Sequence, residues 1–179
     1  MTGYKVLSLK KVIAESSPER VSEILDSFSC KKDMDVESFL KEKAVIQEKK
    51  HISRTYLIFT DELNPKLEAY FTVAISCFGV KDVRCSNELL RKMNVRKDVA
   101  QAYLIGQIGK QDGGERGLGS FAITCAKELI EEANSKVGCR VIRLDCKPPL
   151  VKYYSDNGFK LTGHNADGTL EQMVCIIEG

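Results

Sequence analysis

Hydrophobic positions in this 179-residue chain recur at two periods, and the switches between them mark its elements. The opening YKVLSLKKV, residues 4–12, reads as a first strand. In SPERVSEILDSF, Val21, Ile24, Leu25 and Phe28 fall at helical spacing, with Ser17 placed to cap and Pro18 at the first helical position. DMDVESFLKEKAVIQEKK puts Val36, Phe39, Leu40 and Ala44 on one face and predicts a second helix. RTYLIFT and LEAYFTVAISCF are rich in β-branched and aromatic residues. The Asn-Pro of the intervening DELNPK is a turn signal, so the two read as antiparallel strands. SNELLRKM predicts a short helix capped by Ser86, and AYLIGQIG, residues 102–109, a fourth strand.

Next comes GGERGLGS, residues 113–120, and an apolar stripe starts inside it: Leu118, Phe121, Ala122, Cys125, Leu129, Ala133 and Val137. That spacing predicts a long helix from about Gly117 to Val137, stopped by Gly138. CRVIRLDC is a fifth strand, PPLVKYYSDN a short helix ended by Gly158, and FKLTG and LEQMVCIIE two closing strands. Strand, loop, long helix, strand is a crossover unit whose helix covers one face of a sheet. The expectation is one domain over residues 1–179 with an α/β (α+β) fold. Its mixed, mostly antiparallel sheet of six to seven strands carries helices on both faces.

Composition narrows the chemistry. No long apolar run predicts a membrane span, and the N-terminus lacks the charged-then-apolar pattern of a secretory signal. Seven cysteines without a Cys-x-x-Cys pair, and only His51 and His164, predict no metal site. The apolar neighbours of Cys77, Cys125 and Cys175 predict reduced, mostly buried thiols and a cytoplasmic setting. The net charge is only +2, but Lys81, Arg84, Arg91, Lys92, Arg96 and Lys97 face just Asp82 and Glu88 in a short stretch. This cluster reads equally as a solvated helix face or as an anion-facing patch.

A helix opening from a glycine-rich turn offers unpaired backbone N–H groups and the positive end of its dipole, which together suit a phosphate. Any Cβ in the turn would hold that phosphate away from the backbone. The cradle spans Gly114, Glu115, Arg116, Gly117, Leu118, Gly119 and Ser120, with Arg116 as a fixed positive charge at its mouth. A plain flexible turn is the alternative. The absence of Gly-Lys-Ser/Thr excludes a Walker A loop, and the late position in the chain argues against a dinucleotide fold.

YLIGQIGKQDGGERGLGSFAITCAKELI followed by VIRLDCKPPLVKYYSDNGFKL resembles the GNAT superfamily of N-acetyltransferases. Gly117 and Gly119 match the two small positions of its Gln/Arg-x-x-Gly-x-Gly/Ala loop, with Gly114 where the Gln or Arg usually stands. YYSDNGF matches the second signature with Tyr154 in the tyrosine slot, while Lys147 replaces a frequent asparagine. Phe28, Cys30, Phe39, Leu40, Arg54, Thr55, Tyr56 and Tyr70 fit the pattern of the toxin subgroup that acetylates aminoacyl-tRNA. The resemblance runs roughly from Phe28 to Leu161.

The resemblance implies acetyl-CoA as cofactor, with Ile108, Gly109 and Lys110 lending main-chain groups to the pantetheine arm and Lys110 and Arg116 near its phosphates. Lys110 also reads as a solvated loop lysine. Tyr154 is the expected general acid, since a phenol near ~10 stays protonated beside a thiol near ~8.5; an aromatic packed under the sheet is the alternative. No general base stands out, which favours an α-amine acceptor, titrating near ~7.7–8.0, over lysine near ~10.4. If the acceptor is an aminoacyl-tRNA, Arg54, the basic cluster over residues 81–97 with Arg91 and Lys92, and the Lys49-Lys50-His51 run are candidates for its phosphates. His51 and His164 otherwise read as surface histidines. A small DNA-binding antitoxin is the partner the subgroup implies. Acetylation of a protein or small-molecule amine, a non-catalytic coenzyme A-binding module, and a homodimer all stay open.

Overall fold

A computed structural model describes residues 3–80, 86–165 and 167–178. Seven strands hydrogen-bond in the order β1-β2-β3-β4-β5-β7-β6. They are β1 (Tyr4–Ser8), β2 (Arg54–Thr60), β3 (Leu67–Gly79), β4 (Val99–Lys110), β5 (Val141–Cys146), β6 (Lys160–His164) and β7 (Glu171–Ile176). The β4–β5 pair is parallel, while β1–β2, β2–β3, β5–β7 and β6–β7 are antiparallel. The parallel β4–β5 pair is spanned by the long helix α6 (Leu118–Lys136), as a crossover requires. The expected α/β architecture and strand count are therefore observed. The other helices are α1 (Leu9–Glu15), α2 (Pro18–Asp26), α3 (Met34–Ser38), α4 (Ala44–Lys49), α5 (Asn87–Lys92) and α7 (Val151–Asp156).

The chain divides into two compact units. The first comprises Met1–Ala74 and Gln107–Ala126. Ser17 and Ser8 cap α2 and α1 by accepting the N–H groups of Arg20 and Lys11. The Ser8 cap corrects the first strand: it ends at Ser8 instead of running to residue 12, and Leu9 and Val12 become the buried face of a helix. The second helical stretch holds a π-turn, Phe39–Lys43, between α3 and α4. Its expected apolar face is kept, with Phe39, Leu40 and Ala44 buried and Val36 half-buried. The core of this unit centres on fully buried Tyr70. Its ring meets Phe28 edge-on at 5.3 Å and Phe39 stacked at 6.5 Å, and its hydroxyl donates to Val36 O at 2.5 Å.

The second unit comprises Ile75–Gly106 and Lys127–Gly179. Its core joins Phe78, Leu89, Met93, Ala100, Ala102, Val141 and Val174. Ser86 caps α5 as expected. The β4–β5 ladder covers Tyr103↔Ile142 and Leu104↔Arg143. Asn94, Lys97 and Asp98 have φ of +51°, +51° and +62°. Asparagine and aspartate tolerate this region, so the strain of left-handed backbone, about 1–3 kcal/mol, falls on Lys97.

Along α6 the buried line is Leu118, Ala122, Ile123, Ala126 and Ile130. The expected stripe is thus displaced: Phe121 and Val137 are exposed. Both lines satisfy i, i+3, i+4 spacing, and the small Ala126 adds little weight to a sequence pattern although it is fully buried. No disulfide joins the described cysteines. Cys30 and Cys146 are buried, whereas Cys77 is exposed, contrary to expectation. No helix is long and apolar enough to cross a membrane, and no metal-binding cluster of His, Cys, Asp or Glu occurs among the described residues.

A Cβ built on Gly109 would lie 2.5 Å from Tyr70 Cε1 and 2.7 Å from Val36 Cγ1. Gly109→Ala is therefore expected to lower stability by about 1–3 kcal/mol through overpacking, read as a lower denaturation midpoint with an unchanged m-value. A midpoint equal to that of the parent would show that the Tyr70 ring can move aside.

Candidate active site

The glycine loop lies wholly in the first unit. Ile108, Gly109 and Lys110 close β4, and α6 begins at Leu118. Gly117 turns the chain into the helix with φ +93°, a conformation that favours glycine. Phe121 N–H closes the first helical turn on Gly117 O at 3.0 Å, which leaves the N–H groups of Leu118, Gly119 and Ser120 outside the i→i−4 ladder. The Leu118 N–H makes a long turn bond of 3.4 Å to Glu115 O. The Leu118 side chain is buried, so this end of α6 is anchored to the core.

Side-chain charges around the loop nearly balance. Arg116 is exposed, and no carboxylate pairs with it among the described residues. Lys110 Nζ donates to Gly114 O at 2.9 Å and to Glu115 O at 3.5 Å, so it braces the loop as well as supplying charge. Against these cations, the Glu115 carboxylate accepts the Tyr4 hydroxyl, and the Glu68 carboxylate stands 3.1 Å from where a Gly114 Cβ would be. An anion held here would rest on main-chain N–H groups and the helix dipole, since net side-chain charge offers little.

Residues that the sequence reading missed hold the loop in place. Gln111 Oε1 accepts the Ser29 N–H at 2.7 Å and its Nε2 donates to Ser27 O at 3.3 Å. Asp112 Oδ2 accepts from Ser29 Oγ at 3.0 Å and from the Lys31 N–H at 3.1 Å, while Asp112 N–H donates to Ser29 O at 2.8 Å. The Lys31 N–H, ahead of Ser29 and the nearby lysine charges, holds the Asp112 carboxyl below its ordinary range. No local sequence signal could reveal partners some 80 positions apart.

Arg54 also lies in this unit, but its guanidinium is engaged. It donates to Glu48 Oε1 at 2.7 Å and to Glu48 O at 3.2 Å, and lies 2.8 Å from His51 Nδ1. The Glu48 side chain is only 3% exposed, and its other oxygen accepts the Thr55 N–H. Arg54 thus neutralises a buried carboxylate.

Tyr154, Arg91 and Lys92 belong to the second unit. A 3₁₀ turn, Pro148–Leu150, leads into α7, on which Tyr154 is half-buried. Its ring lies 5.2 Å from that of Tyr153 and 6.1 Å from Phe159. Lys127 fixes the far end of α7: its Nζ donates to Asn157 O at 2.6 Å and sits 4.8 Å from the Phe159 ring centre. Arg91 is exposed on α5. Lys92 is held by Glu88 at 3.3 Å and Glu178 at 3.4 Å, and these partners raise its pKa. Lys81 and Arg84, the start of the basic cluster, lie outside the described residues.

No protein-family model and no curated protein sequence matches the chain. Solved structures do. A tyrosine-to-phenylalanine mutant of KacT is 17% identical with a TM-score of 0.74, covering 96% of this chain and 94% of its own. AtaT complexed with acetyl-methionyl-tRNAfMet is 16% identical with a TM-score of 0.73, covering 94% of each. A bacterial toxin is 12% identical with a TM-score of 0.78, covering 99% of this chain and 92% of its own. At these identities the likeness is one of fold, and it is consistent with the GNAT-like topology expected from the sequence.

Two measurements follow from these contacts. Arg54→Met should cost about 1–3 kcal/mol by leaving the Glu48 carboxylate short of donors, and adding Glu48→Gln should recover part of that loss. No loss on Arg54→Met would return Arg54 to the list of free cations. Burial first, then the hydrogen bond and charge of Glu115 and the charge of Glu68, push the Tyr4 phenol up from 10.0 to about 12. Between those values the unfolded chain has lost a proton that the folded chain keeps, so stability is full below pH 10.0 and falls as pH rises towards about 12. Tyr4→Phe should flatten this alkaline limb in denaturation series, and an unchanged slope would refute the assignment.

Proposed function

We propose that the chain is an acetyl-CoA-dependent N-acetyltransferase whose acceptor is the α-amino group of an aminoacyl-tRNA. One observation carries the reading: a glycine loop opens directly into α6 at the end of β4, on a fold shared with AtaT over 94% of both chains. AtaT has been solved with acetyl-methionyl-tRNAfMet, and AtaTR with AcCoA. Structures of AtaT bound to the C-terminus of the antitoxin AtaR, and of KacTA with DNA, support a small DNA-binding antitoxin as partner of this chain too. Those ligands and partners suit work in the cytoplasm.

The reaction is attack of an amine on a thioester carbonyl. The protein must orient both reactants, polarise the carbonyl and protonate the departing thiolate. Coenzyme A would supply the activated acyl group. Its diphosphate is assigned to the main chain of Gly114–Ser120, with Arg116 as the open cation and Lys110 keeping the loop in shape. Its pantetheine arm is assigned to the main chain of Ile108, Gly109 and Lys110, since the ladder of β4 with β5 stops at Leu104. Those main-chain groups are available to amides in the manner of an added strand. Tyr154 is assigned the proton transfer to sulfur. Its helix is fixed at both ends, by the proline turn and by Lys127, so the phenol can be aimed. An α-amine near ~7.7–8.0 is partly neutral at pH 7 and needs no strong base.

Tyr154→Phe should lower kcat by about 10²–10⁴-fold and leave the acetyl-CoA Kd unchanged, with free thiol release as the assay. Charged tRNA should be consumed and uncharged tRNA ignored. Normal turnover by the mutant would remove Tyr154 as the acid, and release that requires only a lysine or small amine would replace the acceptor.

A further inference from the structure

We infer that the second unit carries a binding site for a nucleotide phosphate ester, free or within an RNA strand, gripped by Arg96 and Arg140. Arg96 belongs to the basic cluster already offered for tRNA phosphates, so the RNA form of the inference rests on the aminoacyl-tRNA reading, whereas the free-nucleotide form does not. A cavity of about 550 Å³ is lined by these two arginines together with Asn94, Gln101, Asn134 and Cys139. No carboxylate lines it among the described residues. Neither guanidinium makes a hydrogen bond or an ion pair among the described residues, and both side chains belong to exposed residues. A second cavity, of about 250 Å³, differs on the decisive point: its lysines include Lys92, already held by Glu88 and Glu178, which also line it. Two guanidinium groups in a concave site with no acidic residue among its described lining attract an anion, and their planar forks match the oxygens of a phosphate.

The backbone supplies an independent argument. Arg96 and Val99 exchange both N–H···O bonds, at 2.9 and 3.0 Å, around Lys97 and Asp98. Both central residues have positive φ, the mirror-image hairpin turn that ordinarily takes Asn-Gly. Asn94, on the cavity wall, is left-handed for a different reason: it follows the C-cap of α5, where asparagine ordinarily stops a helix. Strain like that at Lys97 persists where surroundings over-determine it, and it clusters at ligand sites. Here it fixes the backbone of one gripping arginine. The other is fixed by Arg140 O, which accepts the Ile177 N–H at 2.8 Å.

The size and the lining select a nucleotide over a bare ion. The volume falls in the range of small-molecule pockets. Asn94, Gln101 and Asn134 bring amide groups that pair with base edges and sugar hydroxyls. Asn134 Oδ1 already accepts the Cys139 N–H at 2.9 Å, so its Nδ2 is the donor it can offer.

Calorimetry with AMP, adenosine and a single-stranded RNA hexamer, on protein saturated with coenzyme A, tests this. AMP should bind, adenosine at least tenfold more weakly. Arg96→Ala/Arg140→Ala should lose at least tenfold in AMP affinity with its thermal unfolding unchanged. A hexamer binding tenfold tighter than AMP, with steeper salt dependence, identifies an RNA strand as the source, and equal affinities identify a free nucleotide. Either supports the site. No binding of AMP or hexamer, or equal binding by the double variant, overturns it. Should coenzyme A fail to bind, the acetyltransferase reading falls alone, because the double variant leaves the glycine loop intact.

Discussion

The close approach of the Tyr70 ring to the Gly109 backbone is the constraint on which the glycine loop depends. The ring cannot retreat: Phe28 and Phe39 flank it and its hydroxyl is committed to Val36 O. Burial pushes its phenol far above the ordinary range, so the group stays a neutral donor. With Tyr70 fixed, the last turn of β4 is fixed, and the chain leaves it in one direction. Lys110, Gln111 and Asp112 then tie the departing loop to its own carbonyls and to Ser27, Ser29 and Lys31. Donors held this way need not reorganise to meet an anion.

Much of this was legible in the sequence, and the reasons are local. Ser17 with Pro18, Ser86, and Gly117 each act within a few residues of themselves, so the starts of α2, α5 and α6 could be read directly. The boundary at Ser8 could not, because YKVLSLKKV satisfies an alternating pattern and a helical one, and a single hydroxyl cap decides between them. On α6, burial chose the line through Ala122 and Ala126 over the bulkier one through Phe121 and Leu129. The π-turn at Phe39–Lys43 leaves the apolar face intact and so has no periodic signature.

Residues that carry the family resemblance divide by physical task. Phe28, Cys30, Phe39, Leu40 and Tyr70 are core. Arg54 serves the buried Glu48, so its place in the pattern is explained by folding before any contact with substrate is invoked. The glycine loop and Tyr154 lie outside that core: the loop is held by Gln111 and Asp112, and Tyr154 sits on a helix bounded by the proline turn and Lys127. A sequence match alone could not separate these groups, because a motif records position and not what the side chain touches.

The left-handed residues at Lys97 and Asp98 have a consequence for protein engineering. Asparagine at 97 would relax the hairpin tip and leave the interaction that Asp98 makes in place. The Lys-Asp tip thus sits uphill of an alternative one substitution away.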